Sequence, residues 1–334
     1  MDNCKGILLM GERTELGTLA SITKELLGIG RKLADSLGQE VSLLLIGEDF
    51  QQTPQEAIAL GADKVLLIEN AVIAGYQPDA YRSIVCRVCK EYSPSILLMG
   101  HTDAGRDLAP RVAARLGTGL SPDCLELKIE PAARVMVMTR PVFGGNAMVE
   151  RVCEKTRPQM ATIRPKSQTV ADPDSARKGQ VVAIPFVPES TGKEVRIVER
   201  VKQKVEGIRL EEAGVIVTGG RGIGGPEGFQ MLRELARLLG GTVAGSRSAC
   251  EEGWLPTSLQ VGQTGKIVSP NLYLAVAVSG AMQHLAGCLG SKNIVAINRD
   301  PDANIFRAAR FGLVADYKEA VPVLIKKVKE LLEK

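Results

Sequence analysis

The stretch GVIVTGGRGIGGPEGFQMLRELARLL, residues 214–239, decides the fold of the second half of the chain. It opens with an apolar, β-branched run at 214–218, which predicts a buried strand. A turn rich in glycine follows, and the apolar positions from 229 to 239 then recur at helical spacing. A strand, a turn and a helix in this order predict one unit of a parallel α/β sheet.

The glycine turn also predicts a phosphate site. Glycine lets the backbone approach a phosphate closely, and the N-terminus of a helix favours an anion. Arg221 adds a cation inside the turn, where Gly220, Gly222 and Gly225 match G-x-G-x-x-G. The NAD-binding form of this pattern also needs an acidic residue about twenty positions on, and the sequence GGTVAG at 240–245 has none. The turn favours a dinucleotide over a plain tight turn, and argues against NAD.

A second glycine-rich segment, VGQTGK at 261–266, resembles the end of a P-loop. The first glycine of that motif is absent, and Lys266 is followed by Ile267 instead of Ser or Thr, which excludes an ATPase of this type. Gln263 and Thr264 remain as neutral hydrogen-bond donors beside the glycine.

Other polar residues follow the glycine turn and the predicted strands. Ser246 and Arg247 can hydrogen-bond a phosphate or a flavin edge, although this stretch alone favours a surface turn. His284, in SGAMQH at 279–284, is a lone histidine without the Asp or Cys that a catalytic relay needs, so a structural role is the commoner one. Polar residues at the carboxyl ends of strands bind ligands in open α/β sheets. Two such residues follow the strand at 293–297, namely Asn298 and Asp300.

The first half of the chain alternates short apolar runs with helical stretches. The runs predict buried strands, and buried strands that alternate with helices predict a parallel sheet covered on both faces. The predicted strands are 6–10, 41–46, 64–68 and 95–99, and the predicted helices are roughly 16–37, 55–60 and 81–92.

The pattern changes in the middle of the chain. Three strand-like runs at 124–129, 135–139 and 160–163 lie close together without long helices, which predicts an antiparallel or mixed extension. Residues 166–204 are polar and broken by prolines, and there only 194–199 alternates like a strand, so we expect a domain boundary. The predicted divisions are a domain at 1–190, a linker at 191–204 and a domain at 205–334, with strands at 272–278 and 293–297 and a last helix at 321–332.

Composition and charge exclude several classes of protein. The 42 basic and 38 acidic residues are interspersed and aromatic residues make up 4% of the chain, so no nucleic-acid partner is expected. The apolar run at 272–282 is too short to span a bilayer, and the first residues lack a secretory signal. Seven scattered cysteines, an odd number, indicate reduced thiols. We expect a cytoplasmic protein without direct membrane insertion.

Two further features resemble sites. Cys86 and Cys89 form a C-x-x-C pair, but a second pair is missing and the pair lies in a helical pattern, so packing is the expected role. His101 lies in the loop 100–106 after a predicted strand, where nucleotide binding and loop capping both fit. The sequence predicts no metal site and no catalytic residue.

Taken together, the segments resemble the alpha subunits of electron-transfer flavoproteins over essentially the whole chain. In the second half the resemblance rests on 219–222, 246–247, 261–266, 279–284, 295–298 and 314–316. In the first half it rests on 116–120, 139–141, 143–145 and 157–162. It implies an α/β protein of two domains: an N-terminal nucleotide-hydrolase-like α/β domain that pairs with the beta subunit, and a C-terminal Rossmann-like parallel-sheet domain that binds FAD.

The resemblance also implies which residues bind FAD. It implies that Arg247 lies against the isoalloxazine, that Thr264 reaches its N5/O4 side and that His284 faces its O2 side. A cation and good donors there favour uptake of the first electron. The chain departs from the family at 250–252, where Glu251 and Glu252 make the surface more acidic. The implied set is Arg221, Ser246, Arg247, Val261, Gly262, Gln263, Thr264, Ser279, Gly280, Ala281, Met282, Gln283, His284, Asn298 and Asp316.

Three functions follow from this reading. The main prediction is a heterodimeric carrier that takes electrons from acyl-CoA or other dehydrogenases and delivers them to an acceptor oxidoreductase. The segment from 189 to 205 is then predicted to let the FAD domain rotate between partners. The alternative within the family is an NADH-oxidising, electron-bifurcating flavoprotein, a choice that depends largely on whether the beta subunit holds a second FAD or an AMP. Outside the family, the alternative is a stand-alone NAD-dependent dehydrogenase, which the missing ribose acid opposes.

Overall fold

Strands alternate with helices in both halves of the chain in the computed structural model, which describes residues 4–14, 16–73, 75–145, 147–188 and 208–332. These residues divide into two units. One contains the described residues up to 141 together with 148–188, and the other contains those of 142–147 together with 208–332. The predicted linker at 191–204 and the strand-like run at 194–199 lie outside the described residues, and the rotating segment at 189–205 does too.

The first unit is built on a parallel sheet of seven strands. Its order is β10-β3-β2-β1-β4-β9-β5. Central strand β1 is buried on both faces, because Ile7 and Leu9 pack into one apolar cluster and Leu8 and Met10 into another. The seven strands are β1 (Ile7–Met10), β2 (Val41–Gly47), β3 (Lys64–Glu69), β4 (Ile96–Gly100), β5 (Leu120–Cys124), β9 (Gln159–Ile163) and β10 (Gln180–Ala183).

The described helices of this unit are α1 (Ser21–Leu37), α2 (Thr53–Ala59), α3 (Pro78–Tyr92) and α4 (Asp103–Leu116). The helix predicted from residue 16 was placed too early. The chain turns there instead, because the Thr14 amide donates to the Thr18 carbonyl at 2.8 Å. Helix α4 was missed, because Pro110 inside it disguises the pattern, whereas the Thr102 side chain caps it by accepting from the Gly105 amide at 3.1 Å.

The predicted antiparallel or mixed extension was partly wrong. Strand β9 is parallel to both β4 and β5 and belongs to the main sheet. The antiparallel pairing of this region lies in a separate three-stranded sheet in which β6 (Glu126–Glu130) pairs with β7 (Val135–Val142) beside β8 (Ala147–Arg151). Strand β10 was also missed, because it lies at the sheet edge and is mostly exposed, so it lacks an apolar run.

The second unit carries five parallel strands in the order β12-β11-β13-β14-β15. They are β11 (Val215–Gly219), β12 (Thr242–Gly245), β13 (Leu272–Val276), β14 (Ile294–Asn298) and β15 (Phe311–Val314). Its described helices are α5 (Gly228–Leu238), α6 (Arg247–Glu251), α7 (Met282–Cys288), α8 (Ile305–Ala308) and α9 (Tyr317–Leu332). The chain passes from β11 outward to β12 and then crosses to β13 on the other side. This reversal opens a crevice at the carboxyl ends of β11 and β13, where open α/β sheets bind ligands.

Helix α5 fixes the end of β11. Phe229, Leu232 and Leu235 are buried against the sheet. A Cβ on Gly219 would collide with the Phe229 ring, so the close approach of strand and helix requires glycine at that position. Helix α9 packs beside α5, where the Tyr317 hydroxyl donates to the Ile223 carbonyl at 2.7 Å. Among the described residues, none of the helices combines the length and apolarity needed to cross a bilayer.

Candidate cofactor site

A cleft of about 710 Å³ opens in the second unit at the carboxyl ends of its strands. Loops that follow β11, β12, β13 and β14 line it, together with the 260–264 segment. Its volume lies in the ordinary range for small-molecule sites. Most of the residues that the resemblance implied come together here: Arg221, Ser246, Arg247, Val261, Gly262, Gln263, Thr264, Ser279, Ala281, Gln283, His284 and Asn298.

Three of the implied residues do not line this cleft. Gly280 has a positive φ of 80° and turns the chain against the backbone of Ile305. Met282 begins α7 and is 55% exposed. Asp316 is exposed, and its carboxylate accepts from the Lys318 amide at 2.8 Å at the start of α9. A contact of these three residues with a cofactor stays a prediction.

The cleft also has lining residues outside the implied set. The sequence had singled out Gly220 and Gly222 through the glycine pattern and Asp300 through its place after β14. Four of the other six are direct chain neighbours of implied residues, and that adjacency is the signal that would have found them, whereas Ala277 and Ala303 have no such signal. The six are Ser248, Gln260, Ala277, Val278, Arg299 and Ala303.

The glycine turn after β11 is shaped by the end of β13. Residues 221–223 form one short 3-10 turn. A Cβ on Gly220 would collide with the carbonyl of Ala277, and one on Gly222 would press on the Ala277 side chain. Glycine is needed there because two strand ends pack backbone to backbone. Arg221 is exposed beside this floor and lines the cleft, so its guanidinium is available to an anion.

Ser246 and Arg247 occupy the carboxyl end of β12. The Ser246 side chain caps α6, since its hydroxyl accepts from the Ala249 amide at 3.4 Å. Arg247 Nε donates to Glu251 Oε1 at 2.7 Å, and the two side chains are 65% and 57% exposed. An exposed pair of this kind contributes at most about 1 kcal/mol, so the guanidinium is free to turn toward an anionic ligand. A nicotinamide dinucleotide site would have an acidic residue near this strand end.

The 260–266 segment is held against the start of α7. The Gln263 amide donates to the Gln283 carbonyl at 2.7 Å, and the Gly262 amide donates to the Lys266 carbonyl at 3.2 Å. Gln260 Nε2 donates to Thr264 Oγ1 at 3.0 Å. These bonds fix the backbone that presents the side chains of Gln263 and Thr264 to the cleft.

His284 is a buried polar side chain that lines the cleft. Its Nε2 lies 2.9 Å from the Tyr273 hydroxyl, whereas Nδ1 is buried and has no hydrogen-bond partner in the described structure. Burial lowers the pKa of His284 to about 4, although the Val261 backbone acts in the opposite direction. The imidazole is therefore neutral near pH 7. A buried ring nitrogen without a partner is costly unless a bound group supplies one.

Two features of the first half that resembled sites in the sequence, the Cys86–Cys89 pair and His101, are buried or partly buried. Cys86 and Cys89 are buried in α3, and burial raises the pKa of Cys89 to about 12, so its thiolate is not available. His101 Nδ1 lies 2.8 Å from Thr162 Oγ1, and burial lowers the pKa of His101 to about 4, although the nearby Asp123 acts in the opposite direction. In the part of the chain that the structure describes, no group of three or more His, Cys, Asp or Glu could hold a metal ion.

The cleft residues fit a cofactor that carries phosphates and a polar ring system. The guanidinium groups of Arg221 and Arg247 suit phosphate, and the glycine backbone allows its close approach. The buried Nδ1 of His284, which has no hydrogen-bond partner in the described structure, fits a cofactor with a polar ring edge. FAD meets both requirements.

Known proteins resemble the chain along its full length. A family described as "Electron transfer flavoprotein domain" matches residues 7–188, and "Electron transfer flavoprotein FAD-binding domain" matches residues 209–289. The electron transfer flavoprotein subunit alpha of Thermoanaerobacterium thermosaccharolyticum is 43% identical, over 99% of this chain and 100% of that one.

Two relatives carry other names. Protein FixB of Clostridium saccharobutylicum is 43% identical, over 98% of this chain and 97% of its own. A protein of Anaerotignum propionicum named acryloyl-CoA reductase electron transfer subunit beta is 37% identical, over 94% of this chain and 93% of its own. The predicted family, two-domain α/β fold, FAD cofactor and electron-carrying function are confirmed, and a stand-alone NAD-dependent dehydrogenase is not favoured. The chain belongs to the alpha subunits of the electron-transfer flavoproteins, which bind FAD and pair with a beta subunit.

Proposed function

We propose that the cleft of the second unit is the FAD site. We further propose that the bound FAD receives electrons from a dehydrogenase and passes them to an acceptor oxidoreductase. One observation carries the proposal: a single cleft at the switch point of the sheet gathers two guanidinium groups and a buried, unpartnered imidazole nitrogen. Charge and unmet hydrogen bonding converge there, as a flavin nucleotide requires.

Each part of the cleft has a role in the proposal. Arg221 and the glycine turn receive the pyrophosphate. Arg247 places a cation near the isoalloxazine, and Thr264 and His284 hydrogen-bond its edges. The further binding residues are Ser246, Val261, Gly262, Gln263, Ser279, Gly280, Ala281, Met282, Gln283, Asn298 and Asp316. When bound, FAD supplies the electron-transfer chemistry, and the protein binds and orients it and shields it from water.

The proposed donor is an acyl-CoA or another dehydrogenase. Support comes from the relative in Anaerotignum propionicum, whose name connects it with acryloyl-CoA reductase. We place the protein in the cytoplasm and divide it into a domain at 1–190 that pairs with the beta subunit, a linker at 191–204 and an FAD-binding domain at 205–334. The alternative, an electron-bifurcating complex that oxidises NADH, shares this FAD site and differs in what the beta subunit binds.

Cofactor release from the purified heterodimer tests the proposal. The complex should be yellow and release FAD, because Arg221 and the glycine turn suit the pyrophosphate that FMN lacks. One FAD with one AMP per heterodimer supports the plain carrier, and two FAD support the bifurcating alternative. Release of FMN without FAD would contradict both.

A further inference from the structure

A buried tyrosine lies behind the histidine of the cleft. Tyr273 is in β13, its side chain is fully buried, and its hydroxyl lies 2.9 Å from His284 Nε2. Tyr273 does not line the cleft, whereas His284 does. The phenol therefore has no direct route to a ligand in the cleft, and any effect on the cofactor must act through the imidazole.

Both rings are neutral at physiological pH. Burial lowers the pKa of His284 to about 4 and raises the pKa of Tyr273 well above its ordinary value. Two proton arrangements then remain for the bond between them. Either the tyrosine hydroxyl donates to a bare Nε2, with the imidazole hydrogen on Nδ1, or a hydrogen on Nε2 points at the phenol oxygen and Nδ1 is bare.

The two arrangements leave different numbers of buried groups unmet. If Tyr273 donates, its hydrogen is satisfied and the Nδ1–H alone awaits an acceptor. If His284 donates, Nδ1 awaits a donor and the phenol hydrogen also needs an acceptor. The polar neighbours of that hydroxyl are Thr218 and Cys288. The Cys288 sulfur is only a weak acceptor, and Thr218 Oγ1 makes no hydrogen bond within the described structure. Each unmet buried group costs about 1–3 kcal/mol, so donation by Tyr273 is favoured.

We propose that Tyr273 is a positioning residue that holds His284 in the tautomer with its hydrogen on Nδ1, so that the ring offers bound FAD a neutral N–H donor. This inference rests on the FAD site proposed above. The carbonyl oxygens of a flavin edge are acceptors, and they accept more strongly as the flavin gains an electron. A donor fixed in place therefore favours the reduced cofactor.

Tyr273→Phe removes the hydroxyl and keeps the ring that fills the core. Without a donor facing it, Nε2 can take the hydrogen and leave Nδ1 bare. Tyr317→Phe is the matched control, because it removes a buried hydroxyl of the same unit whose acceptor is the Ile223 carbonyl, and neither residue lines the cleft. Equal losses of thermal stability in the two variants would show that the comparison is fair.

The imidazole nitrogens report the tautomer directly. The chain has two histidines, so a heterodimer in which this chain alone carries ¹⁵N-histidine gives two rings, and His101→Gln assigns them. We expect hydrogen on Nδ1 of His284 in the parent and in Tyr317→Phe, with a shift toward hydrogen on Nε2 in Tyr273→Phe. Hydrogen on Nε2 in the parent overturns the proposal, and this result needs no variant that folds.

The potential of the bound FAD separates this inference from the proposed site. Loss of one neutral donor should lower the equilibrium constant for the first electron by up to about tenfold, which is about 59 mV. If the tautomer shifts in Tyr273→Phe and the potential does not, His284 is not beside the flavin and the site is wrong. If His284→Ala lowers the potential but the parent ring carries its hydrogen on Nε2, the site stands and the role of Tyr273 fails.

Discussion

Arg247 is the residue whose charge the proposal uses most directly. It lines the cleft, and its partner in the free cleft is Glu251 on the next turn of α6. Arg247→Ala should lower the first reduction potential of the bound FAD, because the reduced cofactor loses a cation. A hydrogen bond with a charged group contributes about 1.5–3 kcal/mol, equivalent to about 60–130 mV for one electron. A spectroelectrochemical titration of the heterodimer measures it.

Glu251→Gln is the matched variant for this measurement. It removes the carboxylate that holds the guanidinium and leaves Arg247 in place, so the potential should stay the same or rise. The change should be small, since an exposed ion pair is worth about 0–1 kcal/mol. If Arg247→Ala leaves the potential unchanged, or if both variants lower it equally, Arg247 does not lie beside the flavin.

His101 gives a pH dependence of stability. The unfolded chain binds a proton at this ring below about pH 6.5, whereas the folded chain does so below about pH 4, because burial lowers its pKa. Between these values the unfolded state holds more protons, so His101 destabilises the fold as the pH falls, by about 2–3 kcal/mol at pH 4.5. Glu12 and Glu25, whose pKa values burial raises, act in the opposite direction.

His101→Gln isolates this contribution, because the glutamic acids are common to both proteins. Chemical denaturation followed by circular dichroism at pH 7 and pH 4.5 should show a smaller loss of unfolding free energy in the variant. A loss equal to that of the parent would mean that the ring is protonated in the folded protein at pH 4.5. That result would also argue against the loop-capping role that the contact of His101 with Thr162 suggests.

At the scale of elements, the sequence predicted the strands that are buried in the core. The buried strands β1, β2, β3 and β4 were found because each is a short apolar run between helices. Helix α4 was missed because Pro110 interrupts its pattern, and β15 because its four residues are all exposed. A buried element shows a periodic pattern of apolar residues in the sequence, whereas an exposed edge strand does not need such a pattern.

The cleft residues were predictable where they belong to recognisable sequence motifs. The glycine turn and the family segments identified most of the cleft residues, because these loops follow strands whose carboxyl ends meet. Spacing cannot show which way a side chain points. Met282 and Asp316 belong to the implied set, yet one begins α7 exposed and the other caps α9. Tyr273 could not be found at all from its place in an apolar strand.

The turn between β11 and α5 provides a test at this scale. Gly220→Ala should destabilise the protein and weaken FAD binding, because the new Cβ would collide with the Ala277 carbonyl at the floor of the cleft. Overpacking of this kind typically costs about 1–3 kcal/mol. Gly214→Ala is the control, since its Cβ would meet nothing closer than Asn271 Nδ2 at 3.9 Å. Equal unfolding midpoints and equal FAD retention in the two variants would contradict this account of the turn.

At the scale of the whole molecule, the two units have different sheets and different tasks. The seven-stranded unit matches the electron-transfer flavoprotein domain, and the five-stranded unit contains the match to the FAD-binding domain. In the second unit, the cleft lies where the strand order reverses, as ligand sites do in open α/β sheets. The proposed position of the cofactor follows from this topology, and the loop side chains are the groups proposed to bind it.

The affinity of the heterodimer for FAD tests the central claim most directly. Arg221→Ala removes a cation from the cleft, and Arg233→Ala removes one from the exposed side of α5, away from the cleft lining. Equilibrium dialysis should give a dissociation constant at least about tenfold higher for Arg221→Ala and a value equal to the parent for Arg233→Ala. If both variants retain FAD as tightly as the parent, or lose it alike, the cleft at the switch point is not the FAD site.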